Sequence, residues 1–199
     1  MEARNLAPLA SDIDHTVAAA LPISGLTAWQ GLFVHAGLVA GQTVLIHGAA
    51  GGVGSIAVQL AREVGAHVIG TGRAADREVV LGLGAQEFRD LAADPPTGEV
   101  DVLFDVIGGS VLARSTALVR PGGTVVTIAA PPAEHPKDGR AVFFVVEADR
   151  AQLTELAQRV RDGRLRVLVG DVRPLAEAAD AFAGRRRGKT IIEVAADRP

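Results

Sequence analysis

The chain has 199 residues, 48% hydrophobic and 22% charged, with a formal net charge of −3. That is the composition of a globular protein with a sizeable core, lacking the basic surplus that would point to nucleic acid or an anionic membrane surface. It has no cysteine and no tyrosine, which excludes disulfides, thiolate catalysis, any zinc site needing a Cys ligand from this chain, and a Tyr-x-x-x-Lys proton donor.

The opening MEARNLAPLASDIDH lacks the basic-then-apolar order of a secretory signal. No uninterrupted apolar stretch approaches the roughly 20 residues of a membrane span, so a cytoplasmic location is expected. Within the lead-in, Asp12-Ile13-Asp14-His15 has metal-ligating residue types, but a solvated turn or a helix cap is the simpler reading. Apolar residues at 18–21 and then Leu26, Trp29, Gln30, Phe33 and Val34 predict a helix ending near Gly37.

Residues 43–47 (TVLIH) predict a strand, and the glycine-rich turn GAAGGVG follows at 48–54. From Val53, apolar positions recur at Ile56, Ala57, Leu60, Ala61 and Val64, the stripe of a helix packed on a sheet, with Gly65 as its stop. Further on, strands are expected at 67–70, at 87–89 as a short edge, at 100–107 as a central buried strand, and at 124–129. Helices are expected at 76–83 and at 111–119, the second closed by Pro121-Gly122-Gly123. The loop PPAEHPKDG precedes a strand at 142–146 (VFFVV) and an amphipathic helix at 151–160. Beyond Gly163 the pattern changes to short strands at 166–169 and 190–194 around a small helix at 175–182. Alternation of strand and helix from 43 to 129 predicts an α/β fold, a doubly wound, mostly parallel Rossmann sheet with helices on both faces.

The glycine turn has three readings: a mononucleotide cradle, a dinucleotide seat, or a ligand-free turn, with a Rossmann-like methyltransferase as a smaller variant. A Walker A loop requires Lys and then Ser or Thr after its last glycine, but Gly54 is followed by Ser55 and Ile56. The dinucleotide reading fits Ala49-x-Gly51-x-x-Gly54. Gly51 would let the backbone approach a pyrophosphate, Gly54 would let helix pack close on strand, and the first helix amides would face an anion. About 20 residues on, where an acid would bind a ribose diol, the chain reads Gly70-Thr71-Gly72-Arg73. No Asp or Glu occurs between Glu63 and Asp76, and Arg73 with Arg77 nearby suits a 2′-phosphate, so NADP(H) is expected over NAD(H).

The segments LPISGLTAWQGL (21–32), AGQTVLIHGAAGGVGS (40–55), DVLFDVIGG (101–109), VRPGGTVVTIA (119–129) and GKTIIEV (188–194) together resemble the medium-chain dehydrogenase/reductase superfamily, in its zinc-independent quinone oxidoreductase branch. The resemblance implies NADPH-dependent hydride transfer to a quinone or an activated C=C, with a small-molecule substrate and neither nucleic acid nor membrane as partner. It implies that Thr27 lies near the nicotinamide, that Gly51, Gly52 and Val53 contact the pyrophosphate, and that Thr71, Gly72 and Arg73 contact the adenosine side. Arg77 would stand in for a family lysine, and Lys189, of the family's Gly-Lys pair, would approach the cofactor. Ile107, Ile128, Ala129, Phe143 and Phe144 lie in segments that line the nicotinamide pocket, where each is also readable as core. No catalytic side chain is assigned and no metal is expected, since the position before Thr27 that bears a zinc ligand in the zinc-dependent branch holds no Cys, His or carboxylate.

The resemblance implies an N-terminal GroES-like domain, of which only a remnant is expected in this sequence. The expected division is therefore 1–24 as that remnant, 25–163 as the dinucleotide-binding domain, and 164–199 as a tail whose strands lack their usual partners. The alternative is a dinucleotide-binding module with no activity of its own. The resemblance also implies a homodimer through the 142–146 strand, with Val142 and Val146 at its ends. His47 and His67 are read as hydrogen-bonded structural groups, and Arg185-Arg186-Arg187 as a solvated turn.

Overall fold

The computed structural model describes residues 5–181 and 187–194. Its centre is a six-stranded sheet formed by β1 (Thr43–Ile46), β2 (His67–Gly72), β3 (Glu87–Asp90), β4 (Val100–Asp105), β5 (Val119–Thr127) and β6 (Arg140–Phe143). The strand order is β3-β2-β1-β4-β5-β6 and every pairing is parallel, which makes the sheet the doubly wound type. Alternation along the strands feeds two cores. Val44, Ile46, Val102, Phe104 and Val126 face one side, while Leu45, Leu103 and Val125 face the other.

The first side is covered by α1 (His15–Trp29), α2 (Gly52–Glu63), α3 (Arg77–Gly82) and α5 (Arg150–Arg161); α4 (Gly109–Thr116) contributes Leu112 to the second. In α2, Ile56, Ala57, Leu60 and Ala61 are buried as the spacing predicts, and Gly65 ends the run with φ +89°. Asp14 caps α1 by accepting from the Thr16 and Val17 amides at 2.8 and 3.3 Å, and Asp12 pairs with Arg161 at 3.0 Å, so the acidic lead-in is a cap and an ion pair. The boundary expected between 24 and 25 falls inside α1.

From Gln30 to His35 the first helix continues as a π-helical segment. Gly31 lets this segment pack close on β4, since a Cβ there would sit 2.4 Å from the Phe104 ring. The whole run His15–His35 has a mean hydropathy of 1.4 over its most apolar stretch, long and apolar enough by composition to cross a membrane. Thr16, Ser24, Thr27 and Gln30 interrupt it, so it is not the uninterrupted apolar segment whose absence was expected. Just over half of that stretch, 56%, is buried in the fold, where α1 packs on α2 and α5.

Other boundaries differ for identifiable reasons. β5 begins at Val119 and runs through Pro121-Gly122-Gly123, because Gly122 at φ +78° lets the ladder shift register between Val100 and Val102 instead of ending it. β6 spans Arg140–Phe143 and stops short of 146; the Phe144 N–H still donates to the Thr127 carbonyl at 3.4 Å, and further on the Gln30 carboxamide takes both backbone groups of Glu147. Arg166 is not in a strand either: Gln59 accepts from its N–H and donates to its C=O, both at 2.8 Å. The next strand is β7 (Val169–Pro174), which pairs in parallel with β8 (Lys189–Glu193), so the tail strands partner each other. Between them α6 (Ala178–Ala181) follows a short 3₁₀ turn at Leu175–Glu177, and Phe182 of the expected helix lies outside the described residues.

Candidate functional site

The C-terminal ends of the six parallel strands lie along one edge of the sheet, and the strand order reverses between β1 and β4. Such an edge, at such a switch point, is where open α/β sheets bind ligands. Most of the expected site residues fall just at or beyond those strand ends or on the α1 and α2 segments beside them. Arg77 and Lys189 come instead from α3 and β8.

The glycine turn begins at Gly48, whose φ of +66° turns the chain away from β1. Gly51 occupies the N-cap of α2 with no side chain to cap the helix, so the first amides of α2 remain available to an anion. A Cβ on Gly54 would stand 2.2 Å from the Gly48 carbonyl oxygen, so only glycine permits the helix to sit this close to the turn. Ala49 ties the turn to the neighbouring strand by donating to the Thr71 carbonyl at 2.9 Å.

The turn is closed on one side by the C-terminal segment. Gly188 bridges to Gly51 and donates to the Ala50 carbonyl at 3.2 Å. The Lys189 side chain lies over Gly52, with Cε 3.0 Å from where a Cβ would be. Gly51, Gly52, Val53 and Lys189 are therefore brought together.

At the end of β2, Thr71 is fully buried, its hydroxyl 2.8 Å from Nδ1 of His47. His47 is buried as well, and its Nε2 has no hydrogen-bond partner among the described residues. Burial pushes this imidazole down to about 4, against an opposing pull from Asp105 and with a small further push from Arg114. It is a neutral group that ties β1 to β2, in keeping with its reading as structural. His67 likewise pairs with Glu87 at 3.0 Å.

Gly72 leads to Arg73, whose Nε lies 3.3 Å from Oδ2 of Asp76. Asp76, not an expected site residue, folds back beneath this turn and is buried. Its Oδ1 accepts from Nε of Arg187 at 2.7 Å, and Arg187 also donates to the Ala75 carbonyl. Burial alone would raise the Asp76 carboxyl, but hydrogen bonds from Arg187 and Arg73 outweigh it and hold the group below the ordinary carboxylate range. The expected solvated turn is corrected at Arg187, which is ion-paired; Arg185 and Arg186 lie outside the described residues. Arg77 is not brought into this cluster. Its guanidinium lies 5.9 Å from the centre of the Phe88 ring and donates to the Phe88 carbonyl.

On the other side of the switch point, Asp105 closes β4 and is fully buried. It accepts from the amides of Ile107 and Gly108 and from the Thr127 hydroxyl, at 3.2, 2.9 and 2.9 Å. This fixes the loop that carries Ile107 beside Gly48, and Gly108 packs against Ala129. Ile128 is half-buried and Ala129 exposed at the end of β5, and Phe143 is exposed at the end of β6. Phe144 is buried, with its ring 4.3 Å from that of His35, and belongs to the core. Thr27 is buried on α1, its hydroxyl donating to the Ile23 carbonyl at 2.6 Å. Among the described residues, no group of three or more His, Asp or Glu is placed to hold a metal ion.

Sequence reasoning did not assign Asp76, Arg187 or Asp105. The only signal for Asp105 was a carboxylate ending an otherwise apolar strand; for the Asp76–Arg187 pair, 111 positions apart, there was none.

Comparison with known proteins agrees with this geometry. The model of the zinc-binding dehydrogenase family matches residues 77–192. A polyketide synthase protein of the spectinabilin system, NorB of Streptomyces orinoci, is 37% identical over 95% of this chain and 10% of its own length. A 2-methylene-furan-3-one reductase of Solanum lycopersicum is 31% identical over 88% of this chain and 46% of its own. The quinone oxidoreductase of Thermus thermophilus, solved also as its complex with NADPH, superposes with a TM-score of 0.80 at 31% identity, covering 94% of this chain and 68% of that one. Alcohol dehydrogenases are among the other solved neighbours, one of them NAD-dependent. The chain spans less than two thirds of the length of the curated relatives it matches. The chain belongs to the zinc-binding dehydrogenase family of the medium-chain dehydrogenase/reductase superfamily.

Proposed function

We propose that this chain binds NADP(H) and serves hydride transfer to a quinone or an activated C=C of enone type. The observation that carries the proposal is the Gly48–Gly54 turn at the β1/β4 switch point, which only glycine at 54 lets pack this close to the start of α2 and which leaves the first α2 amides without a side-chain cap. The residues fit the cofactor's chemistry. The amides at the start of α2 and Lys189 would hold a pyrophosphate, and Arg73 would face the adenosine ribose. Ile107, Ile128 and Ala129 would shelter the nicotinamide end from water. The nicotinamide, when bound, supplies the hydride; this chain's own residues bind, orient and desolvate. The substrate class rests on the quinone oxidoreductase and furanone reductase likenesses, and the cofactor on the NADPH complex among the neighbours. A homodimer through the open β6 edge accompanies this reading.

The test is NADPH oxidation with 1,4-benzoquinone and with an enone, beside calorimetric titration of NADPH. Binding with turnover of either acceptor supports the reading, and failure to bind NADPH overturns it. The alternative reading is a dinucleotide-binding module without activity of its own. Tight binding with no turnover would select it.

A further inference from the structure

We infer that Arg187, delivered from the C-terminal strand segment, is a specificity-determining residue for a phosphomonoester on the adenosine ribose, and that Asp76 is its positioning residue. The inference rests on the nicotinamide-dinucleotide reading above.

A carboxylate at the end of the second strand of such a sheet ordinarily binds the ribose diol, which selects the unphosphorylated dinucleotide. Asp76, four residues past the end of β2, turns back to that place: its Oδ2 is 3.3 Å from where a Cβ on Gly72 would be. Both of its oxygens are already taken, Oδ2 by Nε of Arg73 and Oδ1 by Nε of Arg187. Its side chain is 6% exposed, whereas those of Arg73 and Arg187 are 65% and 42% exposed. The carboxylate is thus inside and the cations are outside.

Two guanidinium groups on one carboxylate leave one positive charge in excess at this corner. Each arginine spends its Nε on Asp76, which leaves both Nη atoms of Arg73 and Nη1 of Arg187 without a protein partner among the described residues. The guanidinium fork suits phosphate because it offers several donors in a rigid plane, and anchoring through Nε presents the remaining donors already oriented. Arg187 is held a second time by the Ala75 carbonyl, and its neighbour Gly188 is pinned to the glycine turn. The segment that closes the pyrophosphate turn therefore also brings the second arginine to the ribose corner.

The test is calorimetric titration of the full chain and of Arg187→Ala, Arg187→Lys and Asp76→Asn with NADPH and NADH, with thermal unfolding recorded for each variant. Arg187→Ala is expected to weaken NADPH at least about tenfold and to change NADH less than about twofold, as follows from losing charge-assisted hydrogen bonds to phosphate. Arg187→Lys should recover part of the NADPH affinity. Asp76→Asn should lower the NADPH-to-NADH affinity ratio even where its melting temperature is unchanged, because the arginines lose their common anchor. Equal weakening of both nucleotides in Arg187→Ala would make the residue a structural latch and overturn the inference, as would an unchanged ratio. A wild-type chain that binds NADPH while the ratio stays unchanged in Arg187→Ala refutes only this inference. A wild-type chain that binds neither nucleotide removes the dinucleotide reading and this inference with it.

Discussion

A Cβ on Gly54 would lie 2.2 Å from the carbonyl oxygen of Gly48 and 2.7 Å from its carbonyl carbon. The obstacle is backbone, so no rotamer change can relieve it. Gly54→Ala is expected to destabilise the domain by roughly 3 kcal/mol or more, or to displace the start of α2 and abolish nucleotide binding. Gly82→Ala is the matched control: nothing lies within 4 Å of a Cβ there and its φ is not positive. That change should leave the fold intact and add about 0.5 kcal/mol through the unfolded chain. Urea unfolding of the two variants decides; equal stability would mean that the turn is far more yielding than its geometry indicates.

The Gln30 and Gln59 carboxamides each stand in for a strand partner, and they should differ in cost. Gln30 is buried and also donates to Gln152 at 2.9 Å, so Gln30→Leu leaves several polar groups unsatisfied and should cost about 2–3 kcal/mol. The bonds between Gln59 and Arg166 are exposed, so water replaces them and Gln59→Leu should cost less than about 1 kcal/mol. Faster amide exchange at Glu147 in the first variant would locate the loss.

These two glutamines also explain which parts of the fold the sequence reveals. The runs TVLI and VDVLFD are apolar enough to be buried on both faces, and the glycine turn between β1 and α2 follows from local chemistry, so the sheet centre and the cofactor edge are legible. In RVLV the backbone of Arg166 is satisfied by a glutamine distant in sequence and not by a strand, and just beyond VFFVV the same is true of Glu147. Propensity cannot report such a partner. The same holds for Asp76, which looks like a helix residue in sequence and becomes the anchor of two arginines only when the tail folds back.

The open edge of β6 gives the proposed homodimer a specific form. Phe143 and Val145 are 40% and 75% exposed along and just beyond this edge, and Val34 beside them is 58% exposed. An apolar strand edge of this kind is a template for pairing with a second copy. Val145→Asp should weaken self-association at least about tenfold by placing a charge in that contact, with little change in the melting temperature of the monomer. Sedimentation velocity over a concentration series checks it, and a wild-type chain that stays monomeric throughout removes the dimer.

The buried imidazole of His47 should make stability fall on mild acidification. In the unfolded chain it titrates near 6.5; in the folded one burial holds it at about 4. Above pH 6.5 neither state binds the proton and His47 contributes no pH dependence. Between 6.5 and about 4 the unfolded chain takes a proton that the native state refuses, so stability is lost as pH falls through that window. Below it both states are protonated and the loss levels off, having reached on the order of 3 kcal/mol. The carboxyls of Asp76 and Asp101, held below their ordinary range, contribute stability that is lost only at lower pH, as they protonate. The two effects therefore separate on the pH axis. Replacing His47 with Asn should flatten the melting temperature between pH 7 and pH 5 even if it lowers the curve as a whole. A slope equal to that of the wild type would show that His47 is not the group responsible.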